Sequence, residues 1–313
     1  MHIRGVYPPI ATPFDDQGCL HVAALTANIR KWEDAGLNGY VVAGSNGESA
    51  LLEPEEITQA LRTVRRAASS DKLVIAGTGC QSTSATIRLT QAAADAGADV
   101  ALVMPPYFYT NQMTESALLR HYEAVADASP LPILIYNVPQ YAHLNIAPET
   151  VARLAQQDKI VGLKDSAGNI GQIVDILRLC PPDFDVLIGN APAFLAGLQA
   201  GAVGGILALA NVAPRECVSI WELAGQGRLA EARELHSRLM PVGRAVTTGY
   251  GVPGLKAAMD LLGYCGGPPR PPLLPVTEAV REALRKILVE AGLWSDDDEK
   301  KEERSQYLRS PSD

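Results

Sequence analysis

The chain has 313 residues, 47% of them hydrophobic, which is enough to bury one large core without demanding a second domain. Its 27 Lys and Arg against 35 Asp and Glu give a formal net charge of −8, which repels nucleic-acid phosphates and anionic membrane surfaces, so neither is an expected partner. The five cysteines, Cys19, Cys80, Cys180, Cys217 and Cys265, form no C-x-x-C pair, which argues against a disulfide framework or a zinc site and for reduced thiols in a cytoplasmic setting.

The first segment, MHIRGVYPPIATPF, has no apolar run of signal-peptide length, and no stretch of about 18 apolar residues follows anywhere, so neither export by that route nor a membrane span is expected. Apolar runs of strand length then recur along the chain. They are GVYPPIATPF, GYVVAGS, LVIAGTG, DVALVMPPY, LPILIYNVP, IVGLKDS, FDVLIGN and GGILALAN, each separated from the next by a helix-length segment of mixed charge and alanine. Parallel strands covered by helices are buried on both faces and lose polar alternation, so eight such repeats predict an α/β fold, a (β/α)₈ barrel over residues 1–213. An open doubly wound sheet is the alternative. AGLNGY, ADAGADV and LQAGAVGGI each put glycine where a helix ends and a strand begins. From Pro214 to Trp294 the spacing is helical without a further strand run, which predicts a C-terminal helical extension of the same domain over 214–294. Residues 295–313 are charge-dense and nearly free of aliphatic side chains, and are predicted to be a flexible tail.

Lysine is normally a surface residue, yet Lys164 directly follows the buried run IVGL, at the strand end where barrels of this kind carry their reactive groups. Taking an amine out of water favours its neutral form, which can attack a carbonyl carbon. The competing reading is that Lys164 reaches solvent or pairs with Asp165. Tyr136, in LPILIYNVP, ends the neighbouring strand and presents its phenol to the same mouth, where it can carry protons; taken alone it reads equally as a core tyrosine with a satisfied hydroxyl. After the second run, AGSNGES forms a glycine-rich turn with Ser45 and Asn46 at its centre, able to present N–H groups, a hydroxyl and an amide to a carboxylate, or merely to cap the next helix. Lys256 falls in an amphipathic helical segment, and Lys31, Lys72, Lys159 and Lys286 fall in polar contexts, so they compete less well for a chemical role. There is no G-x-S-x-G elbow and no Walker-type loop, and His2, His21, His121, His143 and His236 lack metal-ligand spacing.

GSNGE after the second strand, YNVP at the fifth and GLKDS at the sixth together resemble the motif set of the dihydrodipicolinate synthase and N-acetylneuraminate lyase family, over nearly the whole chain to about Trp294. That resemblance implies a (β/α)₈ barrel, assembly as a homotetramer built as a dimer of dimers, and a 2-oxo acid such as pyruvate held covalently as a Schiff base, with no dissociable cofactor and no metal. By matching position it implies Lys164 as the Schiff-base residue, Tyr136 as the proton shuttle, Ser45 with Asn46 as the carboxylate clamp, and Gly189 and Ile206 as substrate-lining residues. Within the family the SNGE and KDS forms and the late stretch GVPGLKAAMDLLGYCGGPPRPPL resemble the 4-hydroxy-2-oxoglutarate aldolases, with Ser166 at the distal end of the substrate.

Three departures from the biosynthetic synthases stand out. Those enzymes place a carboxylate-holding arginine two residues after the YNVP proline, where this chain has Tyr141; their clamp is a double threonine rather than Ser45-Asn46; and the tyrosine lent between subunits falls at Phe108 of PPYFY, with Tyr107 and Tyr109 as the possible relay residues. The expected reaction is therefore cleavage of a 4-hydroxy-2-oxo acid to pyruvate and an aldehyde such as glyoxylate. The alternatives are a dehydratase or aldolase acting on a 2-oxo-3-deoxy sugar acid, 4-hydroxy-tetrahydrodipicolinate synthase, and a non-catalytic barrel that binds a 2-oxo acid. A phosphate-gripping isomerase ranks last, since GNAPAF and ALANVAP offer few phosphate donors.

Overall fold

The computed structural model describes residues 2–294, so the predicted tail of 295–313 lies outside the described residues. Eight parallel strands, β1 (Gly5–Tyr7), β2 (Gly39–Val42), β3 (Leu73–Gly77), β4 (Val100–Val103), β5 (Ile133–Asn137), β6 (Ile160–Asp165), β7 (Asp185–Ile188) and β8 (Gly204–Ile206), pair in sequence order, and β8 returns to β1. The last seam closes between β1 and β2, where Asn38 N–H donates to the Val6 carbonyl at 3.0 Å, Val41 N–H to Pro8 at 2.9 Å and Ile10 N–H to Val41 at 2.9 Å. The ring is thus the predicted (β/α)₈ barrel rather than an open sheet. Only three residues of the ten-residue first run are strand, because Pro8, Pro9 and Pro13 have no N–H to give to a ladder.

Between and after the strands run α1 (Val22–Trp32), α2 (Pro54–Ala67), α3 (Thr83–Asp95), α4 (Glu115–Ala128), α5 (Pro148–Leu154), α6 (Ile170–Leu179), α7 (Phe194–Ala200) and α8 (Pro214–Gly225). The helical stretch that begins at Pro214 divides in two. Helix α8 packs against β1 and α7 and completes the eighth strand–helix unit, whereas α9 (Leu229–Arg244), α10 (Gly251–Leu261) and α11 (Glu278–Glu290) form the extension proper. No helix among the described residues is long and apolar enough to cross a membrane.

Period-two alternation sorts each strand's side chains into two cores. Tyr7, Val41, Ile75, Leu102, Leu134, Tyr136, Leu187 and Ile206 fill the barrel, while Val6, Val42, Ala76, Val103, Ile135, Leu163 and Ile188 face the helices. The inward set determines what reaches the C-terminal mouth.

One helix-layer group is expected to make the fold acid-sensitive. His121 of α4 is buried, with Nδ1 3.0 Å from Thr83 Oγ1 and no partner for Nε2 among the described residues, and burial pushes its pKa down to about 4. Between pH 6.5 and 4 the unfolded chain takes up a proton that folded His121 refuses, so stability is full above pH 6.5 and falls as the pH drops toward 4, by on the order of 3 kcal/mol. Urea unfolding at pH 7.5 and 4.5 is expected to show this loss in the parent and a clearly smaller one in His121→Gln; equal losses in both proteins would assign the acid limb to other groups.

Candidate active site

The register of β5 and β6 sets Tyr136 opposite Lys164 and Asn137 opposite Asp165. Inward-facing Lys164 is 2% exposed and Tyr136 5%, and the Lys164 Nζ lies 4.1 Å from the centre of the Tyr136 ring. Lys164 therefore neither reaches solvent nor pairs with Asp165, since consecutive strand residues leave on opposite faces. Outward-facing Asp165 instead accepts from Asn137 Nδ2 at 2.7 Å, Gln172 Nε2 at 3.0 Å and the Ala167 N–H at 2.9 Å. Burial nonetheless outweighs these donors and holds its carboxyl above the usual aspartate range. Asn145 closes the network, accepting from Asn137 at 2.9 Å and donating to Gln172 at 2.7 Å. A fully satisfied polar network behind two adjacent strand ends fixes the backbone that carries Tyr136 and Lys164.

Across the mouth, Ser45 and Asn46 sit on a helical turn, Ser45–Gly47, whose Ser45 Oγ lies 3.2 Å from Tyr136 Oη. The turn is flanked by Ala43 (φ 54°) and Glu48 (φ 58°), two non-glycine residues in the left-handed region. Each costs about 1–3 kcal/mol and persists only where surrounding structure over-determines it. Bonds inside the turn occupy the N–H groups of Gly47 and Glu48, donating to Gly44 and Ser45, so the N–H groups of Ser45 and Asn46 at its start stay outside the turn's own bonding.

The remaining predicted residues distribute unevenly. Gly189, just past β7, donates its N–H to the Asp165 carbonyl at 2.6 Å. A Cβ there would overlap Ser166 Oγ and come within 2.9 Å of Lys164 Cε, so the absence of a side chain is what lets Lys164 and Ser166 occupy the mouth. Ser166 Oγ is buried with no hydrogen-bond partner among the described residues, so an incoming oxygen can satisfy it. Ile206 is fully buried in the same barrel core as Tyr136. Tyr107 lines a cavity of about 140 Å³ with Ser45, Met104 and Tyr136, and its loop is tied down by Gln81 Oε1, which accepts from the Tyr107 and Phe108 N–H groups at 3.0 and 2.8 Å. Tyr109 does not join this cavity; it is 70% exposed and meets Phe108 edge-on, ring centres 5.0 Å apart. Tyr141 stands at the outer rim, 53% exposed. A larger cleft of about 920 Å³, between the loop after β1 and helices α10 and α11, contains neither Lys164 nor Tyr136.

Lys256 departs from its sequence reading. It lies in α10 as a helix residue, but it is 1% exposed and its Nζ sits 2.5 Å from Glu48 Oε1. Burial drives this amine below the usual lysine range, with Glu48 opposing the shift. The signal was available: in GVPGLKAAMDLL the lysine has only one other charged residue, Asp260, around it, so no polar face exists for it to join.

The chain is similar to known proteins over nearly its whole length. The model of the dihydrodipicolinate synthetase family matches residues 2–291. A 4-hydroxy-tetrahydrodipicolinate synthase of Methanothrix thermoacetophila is 39% identical over 286 residues, covering 91% of this chain and 96% of that protein. Among solved structures, the chloride-inhibited dihydrodipicolinate synthase of Acinetobacter baumannii, complexed with pyruvate, superposes with a TM-score of 0.89 at 32% identity over 93% of this chain and 100% of that one. YagE, a prophage protein of the same family from E. coli K12, also in complex with pyruvate, gives a TM-score of 0.87 at 30% identity over 93% and 99%. The curated relative bears a synthase name rather than the aldolase name expected from the motifs. Because the family match runs from residue 2 through the barrel into the last helix of the extension, the chain belongs to the dihydrodipicolinate synthetase family of lyases.

Proposed function

We propose that this lyase holds pyruvate, or a 2-oxo acid that yields it, as a Schiff base on Lys164. The observation that carries the reading is the buried Lys164 amine packed 4.1 Å from the Tyr136 ring, with no ion-paired carboxylate among the described residues. The neutral amine adds to the carbonyl carbon, water leaves, and the resulting iminium serves as the electron sink for making or breaking the bond between carbons 3 and 4. Tyr136, hydrogen-bonded to Ser45, moves the protons, while Ser45 and Asn46 offer a hydroxyl, an amide and two N–H groups to the carboxylate. No metal and no dissociable cofactor enters these steps.

For the second substrate, the relative's name supports formation of 4-hydroxy-tetrahydrodipicolinate. A second reading, cleavage of 4-hydroxy-2-oxoglutarate to pyruvate and glyoxylate, is favoured by Tyr141, which puts a phenol rather than a cation at the rim, and by the unpartnered hydroxyl of Ser166. Borohydride reduction with pyruvate tests the shared step: a reduced adduct on the peptide containing Lys164 is expected, and an unmodified lysine at saturating pyruvate refutes it. Product analysis then separates the readings, since one consumes pyruvate and the other releases it.

Tyr136→Phe keeps the ring against Lys164 but removes the hydroxyl. Turnover is expected to fall about a hundredfold to a thousandfold while the pyruvate adduct still forms under borohydride, because the lost contribution is proton transfer rather than the nucleophile. Turnover close to the parent's would take the shuttle away from Tyr136.

A further inference from the structure

Glu48 ends the turn that carries Ser45 and Asn46, yet its side chain points away from the mouth into a buried site. There its Oε1 forms an ion pair with Lys256 Nζ of α10 at 2.5 Å, and its Oε2 accepts the Arg270 backbone N–H at 2.8 Å. Both side chains of the pair are 1% exposed. The surroundings complete it: Lys256 Nζ donates to the Pro268 carbonyl at 2.9 Å and stands 4.4 Å above the Phe14 ring. The Arg270 guanidinium covers the same ring from 4.2 Å, donates to the Leu51 carbonyl at 2.7 Å and grips Glu56 of α2 with two bonds of 2.6 and 2.7 Å. From the other side, Thr12 Oγ1 donates to the Gly47 carbonyl at 2.7 Å.

Two strained residues cannot hold a turn by themselves, and an isolated ion pair at this depth is weak evidence for stability. The arrangement makes physical sense as a device for geometry. The left-handed backbone of Glu48 aims its carboxylate downward, and two groups from beyond the barrel, the Lys256 ammonium and the Arg270 backbone N–H, fix where that carboxylate can sit. We infer that the Glu48–Lys256 ion pair, backed by Arg270, is a positioning element that holds the Ser45–Asn46 turn at the height the substrate carboxylate requires, so that the C-terminal extension builds part of the active site. Glu48 and Lys256 touch neither Lys164 nor Tyr136 and act through the turn. This inference rests on reading that turn as the carboxylate clamp.

The double variant Glu48→Leu/Lys256→Met removes both charges while keeping volume, a replacement that buried pairs often tolerate without loss of stability. With borohydride trapping titrated against pyruvate, its half-saturating pyruvate concentration is expected to rise about tenfold or more, the effect of roughly one lost charge-assisted hydrogen bond, with full modification of Lys164 at saturation and an unlowered melting midpoint. Glu48→Gln keeps an acceptor for the Arg270 N–H but breaks the ion pair, and is expected to raise the half-saturating concentration as the double variant does. A double variant that half-saturates within about twofold of the parent overturns the inference. If the double variant does not fold, the parent decides: pyruvate is expected to slow amide exchange in residues 265–270 as well as in 44–49, since coupling between sites is reciprocal, and slowing confined to 44–49 overturns it. Failure to trap pyruvate on the parent indicts the Lys164 assignment instead, so the two failures are distinct.

Discussion

Lys164→Ala is expected to lower turnover by at least about a thousandfold and to abolish the borohydride-stable pyruvate adduct, while the barrel stays folded. Among the described residues no other lysine is placed to take over. Lys256 is buried behind Glu48, Lys31 donates to the Gly263 carbonyl, Lys72 to Leu37 at 2.8 Å and Lys159 to Ser129, all on elements facing away from Tyr136. The fold tolerates the change because the inner layers below, with Leu134, Leu187 and Val100, do not depend on the aliphatic stem of Lys164. Deleting the stem leaves room that water can enter from the mouth, and it also removes a buried amine whose desolvation costs stability. The melting midpoint is therefore expected to move by no more than about 5 °C, read by circular dichroism alongside steady-state turnover and peptide mass mapping. An alanine variant that turns over at parental speed ends the Schiff-base proposal, and one that fails to fold shows that the stem of Lys164 is a core element.

The architecture was legible because each strand is buried on both faces and each helix is bounded by charge and glycine, a pattern only a helix-covered parallel sheet explains. Lys164 and Tyr136 were legible for a related reason: an ionisable group at the end of an apolar run cannot be placed without asking what it does. Their pairing followed from strand order, and the register of β5 on β6 is the structural counterpart. What lay beyond the sequence was direction and depth. Nothing in IVGLKDS says which of Lys164 and Asp165 faces inward, since a one-residue slip exchanges them. The partner of Lys256, though not its burial, was hidden, because Glu48 lies on a loop more than 200 residues earlier in the chain. The Asn137–Asp165–Gln172–Asn145 network was hidden likewise, because Gln172 and Asn145 look like ordinary polar residues until α6 and the segment after β5 are docked. Helix α8 read as extension because a helix after the eighth strand belongs to the barrel only when it is seen to pack on β1.

Gly189→Ala adds one methyl group, and turnover is expected to fall about a hundredfold, the cost of misplacing a reacting group by about 1 Å. Gly189 is not among the residues with positive φ, so alanine strains no backbone there and the effect is purely one of space. The new Cβ would overlap Ser166 Oγ and stand 2.9 Å from Lys164 Cε and 3.2 Å from the Asp165 carbonyl oxygen. That carbonyl is held by the Gly189 N–H itself, so it cannot retreat, whereas a serine χ1 turns readily. Lys164 must then yield, and displacing Cε carries Nζ off the Tyr136 ring. Overpacking at the rim costs stability by about 1–3 kcal/mol, small beside the kinetic effect. Adding Ser166→Gly removes one collision and leaves the one with Cε. If the amine's position is what matters, the pair Gly189→Ala/Ser166→Gly remains slow in turnover and in adduct formation alike. Recovery of parental rates in that pair would shift the role from Lys164 placement to the orientation of the Ser166 hydroxyl, because that group is the only other one the methyl displaces beside the amine.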